Sequence, residues 1–150
     1  MGGKKSLVTG GAGFIGAHLA KYLVDEGNDT TVLDNFSSGT FANLVGFSGE
    51  LVTSDGHTQP PGRFEVIFHQ ASITDTTIHD ENKVMTNNVE GFRNVLAWAE
   101  QWKARVIWAS SAAVYGNVKA PTAEDSQTSP LNVYGYSKLA MERLAQRWHK

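Results

Sequence analysis

A tyrosine and a lysine four residues apart, Tyr134 and Lys138 in PLNVYGYSK, are a pair able to do acid–base chemistry. Residues four apart on a helix share one face. An ammonium beside a phenol stabilises the phenolate and lowers its pKa from about 10 towards the working range. Tyr136, two positions along, points away. Upstream, RVIWASSAAVYG closes a strand on Ser110 and Ser111. Ser111 is placed to hydrogen-bond a substrate oxygen, and Lys138 also to hold the ribose of a nicotinamide. Tyr-x-x-x-Lys is a common spacing by itself. Its weight here comes from following a serine-bearing strand.

A second chemistry lies near the start. Gly10, Gly13 and Gly16 form G-x-x-G-x-x-G between a short apolar strand and a helix. Gly10 permits the tight turn, Gly13 lets a pyrophosphate approach the backbone, and Gly16 lets the helix pack on the strand. The phosphates meet free N–H groups and the positive end of the helix dipole. Phe14 and Ile15, inside the motif, complete the expected cofactor-binding loop. Asp34 follows Gly16 by 18 residues, the place of an acid that accepts ribose hydroxyls, with Asn35 beside it. No Lys or Arg lies between Asp34 and Arg63, so a 2′-phosphate has no nearby counter-charge and NAD is favoured over NADP. Asp55 is either an acceptor for the adenine amino group or a solvated loop residue.

The elements that must position these groups alternate. Strands are expected at 6–9, 30–34, 50–53, 65–69 and 105–109. Helices are expected from Phe14 to about Glu26, with Phe14, Ile15, Leu19, Tyr22 and Leu23 at helical spacing, from about Glu81 to Lys103, and from Val133 to the end. Gly56 to Gly62 holds two prolines and two glycines and forms no long helix. The fold class is α/β: a Rossmann-type doubly wound parallel sheet of about five strands, order 3-2-1-4-5, with helices on both faces. A ligand binds at the carboxyl ends of strands one and four.

With 150 residues the chain suits one domain, a dinucleotide-binding domain over 1–150. A net charge of -2 gives no reason to expect nucleic acid or an anionic membrane as partner. No apolar run approaches the roughly 20 residues of a bilayer span, and the start lacks the apolar core of a secretory signal. With no cysteine, there is no thiolate metal site, and the cytoplasm is the expected location. MGGKKS matches the N-myristoylation pattern, but a strand follows at once and a short frayed terminus is expected. His57, His69 and His79 lack paired spacing, so no metal site is expected.

TGGAGFIG, VLDN, FHQAS, NNVEGFRN, SSAAVYG and PLNVYGYSK occur in the order found in extended short-chain dehydrogenases/reductases. From residue 6 onward the chain resembles that family's nucleotide-sugar epimerase/dehydratase group, and FHQASITDTTIHD with PLNVYGYSK is most similar to the ADP-heptose epimerase branch, UDP-galactose epimerases being a second relative. The resemblance implies catalytic roles for Ser111, Tyr134 and Lys138. It implies an active-site or cofactor place for Asn88, and cofactor contacts for Phe68, Ala71 and Ser72. It implies reversible hydride transfer at a carbinol of a nucleotide sugar. One departure is that the heptose branch tends to carry a lysine after VDN, where Asn35-Phe36-Ser37-Ser38 has none. Family members are about twice this length, so either a truncated chain or a half-length protein, without the substrate domain, is expected. The alternatives are an NAD-binding module without turnover and a small carbonyl reductase or alcohol dehydrogenase.

Two apolar stripes on the helix at 81–103, Met85/Val89/Phe92/Leu96/Ala99 and Val95/Trp98/Trp102, cover more than one sheet face needs. Either the helix at 133–150 takes up the surplus, or two copies pair through both helices as a homodimer, which is the expectation here. Strand five is expected at an unpaired apolar edge.

Overall fold

The structure, a computed structural model, describes residues 3–78 and 80–148. The myristoylation pattern at Met1–Gly2, His79 and residues 149–150, where the final helix was expected to continue, lie outside the described residues. These divide into two compact units. One runs to Ala71 and resumes over Asn94–Ala109, and the other is Ser72–Arg93 with the chain from Ser110 onward.

The first unit holds the whole sheet. Strands β1 (Lys5–Thr9), β2 (Asp29–Asp34), β3 (Glu50–Thr53), β4 (Val66–His69) and β5 (Arg105–Trp108) are all parallel, in the order β3-β2-β1-β4-β5. Leu7 pairs with Thr31 and Ile67, and Val8 with Val32 and Phe68. Because strand side chains alternate, these two rows point to opposite faces. Leu7, Leu33 and Ile67 pack with Phe64 and with Val95, Trp98, Ala99 and Trp102 of helix α3 (Gly91–Trp102). Val8 and Val32 pack with Ala20 and Leu23 of helix α1 (Phe14–Asp25). Helices thus cover both faces, as the apolar strands require.

The helix expected from Phe14 forms, and of its spaced apolar residues Leu19 and Leu23 pack in the core. Phe14, Ile15 and Tyr22 are exposed, while Gly16, Ala17, Ala20 and Leu23 are buried. Small residues let the helix lie close to the sheet, so the large ones are left outside. The helix expected at 81–103 forms over 81–102 and carries a π turn within it: α2 (Glu81–Met85) passes through Thr86–Glu90 before α3 begins. Finally, the second stripe on α3 is no surplus. Val95, Trp98 and Trp102 are buried within this chain, and Trp102 meets Phe64 edge-on at 5.4 Å.

The connection after β3 has no helix across 56–62, as its prolines and glycines imply. Leu51 is accordingly 38% exposed. At the opposite border β5 is the outer strand, with Ile107 exposed. Arg63 donates through Nε and Nη2 to the carbonyl of Trp102, and so closes the end of α3. Among the described residues no helix is long and apolar enough to cross a membrane.

The second unit contains α2, the π turn and helix α4 (Val133–Trp148). Asp80 caps α2 by accepting from the Lys83 N–H at 2.9 Å. Asn132 caps α4 in the same way, accepting from the Gly135 N–H at 2.8 Å. Leu139 and Met141 are its buried apolar residues, and Trp148 is 43% exposed.

Candidate functional site

In the first unit the glycine loop takes the form its spacing implies. Gly10 has φ +68, a left-handed conformation that favours glycine. A methyl there would lie 2.5 Å from the Ala71 nitrogen. At Gly16 a methyl would run into the carbonyl of Gly10, so the start of α1 is seated directly on the loop. No side chain caps the first turn of α1, and the exposed Phe14 and Ile15 flank it. These are the features of a phosphate cradle: a closely approachable backbone, an uncapped helix N-terminus and no bulk in between.

Asp34 ends β2 with its carboxylate almost buried. Oδ2 accepts from the Ala12 N–H at 2.9 Å and Oδ1 from the Phe36 N–H at 2.7 Å. Asp34 thus forms a local turn and also ties down the glycine loop. Each oxygen keeps a further lone pair, which a ribose hydroxyl can use. Asn35 is exposed and accepts from the Ser37 N–H. Asp55 is exposed, accepts from the His57 N–H at 2.9 Å, and lines a cleft of ≈ 400 Å³ with Val52, Thr58 and Pro60. Phe68 is half-buried and packs towards Val8 and Val32. Ala71 lies against Gly10 and donates its N–H to Thr9 Oγ1 at 3.4 Å. Thr9 also bonds His69 Nδ1 at 2.7 Å. Its part in holding the 69–71 segment was not legible beforehand, because a strand-end threonine carries no special spacing.

The second unit holds the residues expected to do acid–base chemistry. Lys138 is buried, and its Nζ lies 5.8 Å from the centre of the Tyr134 ring. That is within reach of a cation–π attraction. Burial pushes the ammonium down to about 8 from its ordinary 10.5. Tyr134 is half-buried, whereas Tyr136 is exposed, as the helical geometry required. Ser111 caps a short 3-10 turn, Ala112–Val114, and its Oγ accepts from the Ala113 N–H at 3.2 Å. The hydroxyl proton of Ser111 is left to donate. A methyl on Gly135 would lie 2.7 Å from the Ala113 carbonyl, so α4 starts hard against that turn.

Asn88 sits in the π turn, is fully buried, and spends its carboxamide inside the protein. Oδ1 accepts from the Ile73 N–H at 2.7 Å. Nδ2 donates to the Ile73 carbonyl at 3.0 Å and to Ser137 Oγ at 2.9 Å. Ser137 donates onward to the carbonyl of Tyr134 at 2.7 Å. Asn88 is thus bound to the segment beside Ser72 and to the first turns of α4. The Oγ of Ser72 is buried and meets no hydrogen-bond partner among the described residues. Ser137 went unread in the sequence because it lies between two more reactive side chains. Among the described residues no group of three or more His, Asp or Glu is placed to hold a metal.

The family described as NAD dependent epimerase/dehydratase matches residues 6–150. ADP-L-glycero-D-manno-heptose-6-epimerase of Alkalilimnicola ehrlichii is 37% identical over 151 residues, which is 95% of this chain and 47% of that protein. The structure of ADP-L-glycero-D-manno-heptose-6-epimerase from Helicobacter pylori matches at TM-score 0.90 and 41% identity, over 97% of this chain and 51% of that one. UDP-glucose 4-epimerase from Brucella ovis, solved in complex with NAD, matches at TM-score 0.86 and 31% identity, over 97% and 47%. The chain spans about half the length of these proteins.

Proposed function

The chain belongs to the NAD dependent epimerase/dehydratase family, and from that premise we propose that it is an epimerase-type oxidoreductase that binds NAD and acts at a carbinol of a nucleotide sugar. The observation that carries this reading is the buried Lys138 beneath the ring of Tyr134 on a capped helix. Gly10, Gly13, Phe14, Ile15 and Gly16 would hold the pyrophosphate, Asp34 and Asn35 the adenosine ribose, and Asp55 the adenine. Phe68, Ala71 and Ser72 would line the cofactor, and Asn88 would fix the segment that carries Ser72.

When bound, NAD supplies the acceptor and later the donor of a hydride. Tyr134, as phenolate, takes the proton of the substrate hydroxyl while the carbinol carbon gives up its hydride. Ser111 donates a hydrogen bond to the oxygen that becomes a carbonyl. Lys138 holds the phenolate form ready by its positive charge. Return of the hydride to the opposite face of the carbonyl, with the proton handed back by Tyr134, inverts the centre. Atoms and electrons balance over the cycle.

NAD is favoured over NADP because a 2′-phosphate bound beside Asp34 would meet its carboxylate, and no Lys or Arg occurs between Asp34 and Arg63 to offset it. Titration calorimetry with each cofactor tests this, and tighter binding of NADP would overturn it. Absorbance of reduced nicotinamide, with a panel of nucleotide sugars and simple alcohols, tests turnover. It also separates the enzyme from an NAD-binding module without turnover. Full activity in Tyr134→Phe would sink the mechanism. A homodimer would need surface other than Val95, Trp98 and Trp102, since these are buried; light scattering measures it.

A further inference from the structure

We propose that Glu142 is a positioning residue for Ser111, acting through Ser110. The inference rests on the catalytic reading of Ser111, Tyr134 and Lys138 given above. Ser110 Oγ donates to Glu142 Oε1 at 2.5 Å, a short bond to a carboxylate. Among the described residues Glu142 makes no ion pair with a Lys or Arg, so the serine is the partner it has.

The second contact between the same two segments is the one at Gly135, where a methyl would stand 2.7 Å from the Ala113 carbonyl. The stretch 110–113 is therefore fastened to α4 at two places. Ser110 is held at Glu142, and Ala113 is held at Gly135. The two helix positions are seven residues apart, about 10 Å along the axis.

Ser111 lies between the two fastenings on its own segment. On the helix, Lys138 lies between them and Tyr134 stands immediately before the first. Two points fix a distance and a direction, whereas one leaves a pivot. Without the Glu142 bond, residues 110 and 111 lose their side-chain tie to α4, and the close packing of Ala113 on Gly135 alone leaves them freer to turn. The hydroxyl of Ser111 would then lose its fixed place relative to Tyr134. The bond is open to solvent, so its effect is expected on geometry more than on global stability.

The test compares Glu142→Ala, Glu142→Gln and Ser110→Ala in the full chain. The first readout is hydrogen exchange of the Ala113 amide, which reports on the Ser111 cap because that N–H is bonded to Ser111 Oγ. Glu142→Ala and Ser110→Ala should speed its exchange about tenfold, as expected for losing one hydrogen bond to a charged group. Amides of β1 and β4 should be unchanged. Glu142→Gln keeps an acceptor oxygen and should restore most of the protection. An unchanged Ala113 rate in Glu142→Ala, or no rescue by glutamine, overturns the proposal.

The second readout is steady-state hydride transfer with NAD. Glu142→Ala should lower kcat with the KM for NAD unaltered, and glutamine should recover it. A loss in KM alone would contradict a positioning role. If Tyr134→Phe proves fully active, the catalytic reading fails by itself, and the exchange measurement still decides whether the fastening exists.

Discussion

Replacing Lys138 by methionine tests how much stability this fold gives up to keep a cation under Tyr134. Lys138 as a residue is only 4% exposed, and burial brings its ammonium from 10.5 down to about 8. Below about pH 8 it is charged in both the folded and the unfolded chain, and the folded state carries the full cost of desolvation. Between about 8 and 10.5 the unfolded chain binds the extra proton, so stability rises with pH. Above 10.5 that cost is gone. An interval of about 2.5 pH, at about 1.4 kcal/mol for each, amounts to about 3.5 kcal/mol at neutral pH. Methionine keeps much of the stem and drops the charge. Against the gain stands the loss of the ammonium's attractions, that to the Tyr134 ring being about 1 kcal/mol. Lys138→Met should therefore be more stable than the parent at pH 7, by up to about 2.5 kcal/mol, with an advantage that fades towards pH 10. Urea unfolding followed by circular dichroism at pH 7, 8, 9 and 10 measures it. Taking the difference between the two proteins cancels the other lysines and tyrosines. A variant less stable at pH 7, or a difference that stays constant across the range, refutes the reasoning.

Other substitutions probe the supports. Asn88→Ala strands the N–H and carbonyl of Ile73 and should cost about 2–4 kcal/mol by urea unfolding; Asn88→Asp keeps only the acceptor and should not restore it. Gly135→Ala forces a methyl to 2.7 Å from the Ala113 carbonyl and 2.9 Å from Pro130 Cβ, and should cost about 1–3 kcal/mol, read as a lowered Tm. Trp98→Ala empties a buried place between α3 and the sheet and should cost about 3–5 kcal/mol by the same measurement.

Much of the architecture was legible because it depends on local rules. Apolar runs marked all five strands to within a residue at either end, and handedness then dictated their order. PLNVYGYSK disclosed a helix start because Asn132 is a capping residue and four-residue spacing is a helical rule. What stayed hidden depends on tertiary partners. Phe14, Ile15 and Tyr22 resemble a buried face in periodicity, yet the sheet accepts Gly16, Ala17 and Ala20, and only close packing decides between them. The π turn left no trace in the apolar pattern, and neither did the bonds it allows Asn88 to make. Trp98 and Trp102 read as excess because Phe64, the residue that receives Trp102, lies in the loop before β4 and outside any periodic element. The residue types of Ser111, Tyr134 and Lys138 were plain, whereas Ser137, Gly135 and Glu142 meet neighbours far away in sequence.

The two backbone bonds of Asp34 have a thermodynamic consequence. The carboxylate already holds Ala12 and Phe36, and Asn43 donates to the Ala12 carbonyl from the other side at 2.8 Å. The loop that would meet the dinucleotide is thus ordered before the ligand arrives. Little chain entropy remains to be lost on binding, and the heat-capacity change should reflect the ligand's own buried surface and not the folding of a segment around it. With Asp34→Ala the same titration should acquire a more negative heat capacity, the mark of a loop that must now organise as it binds.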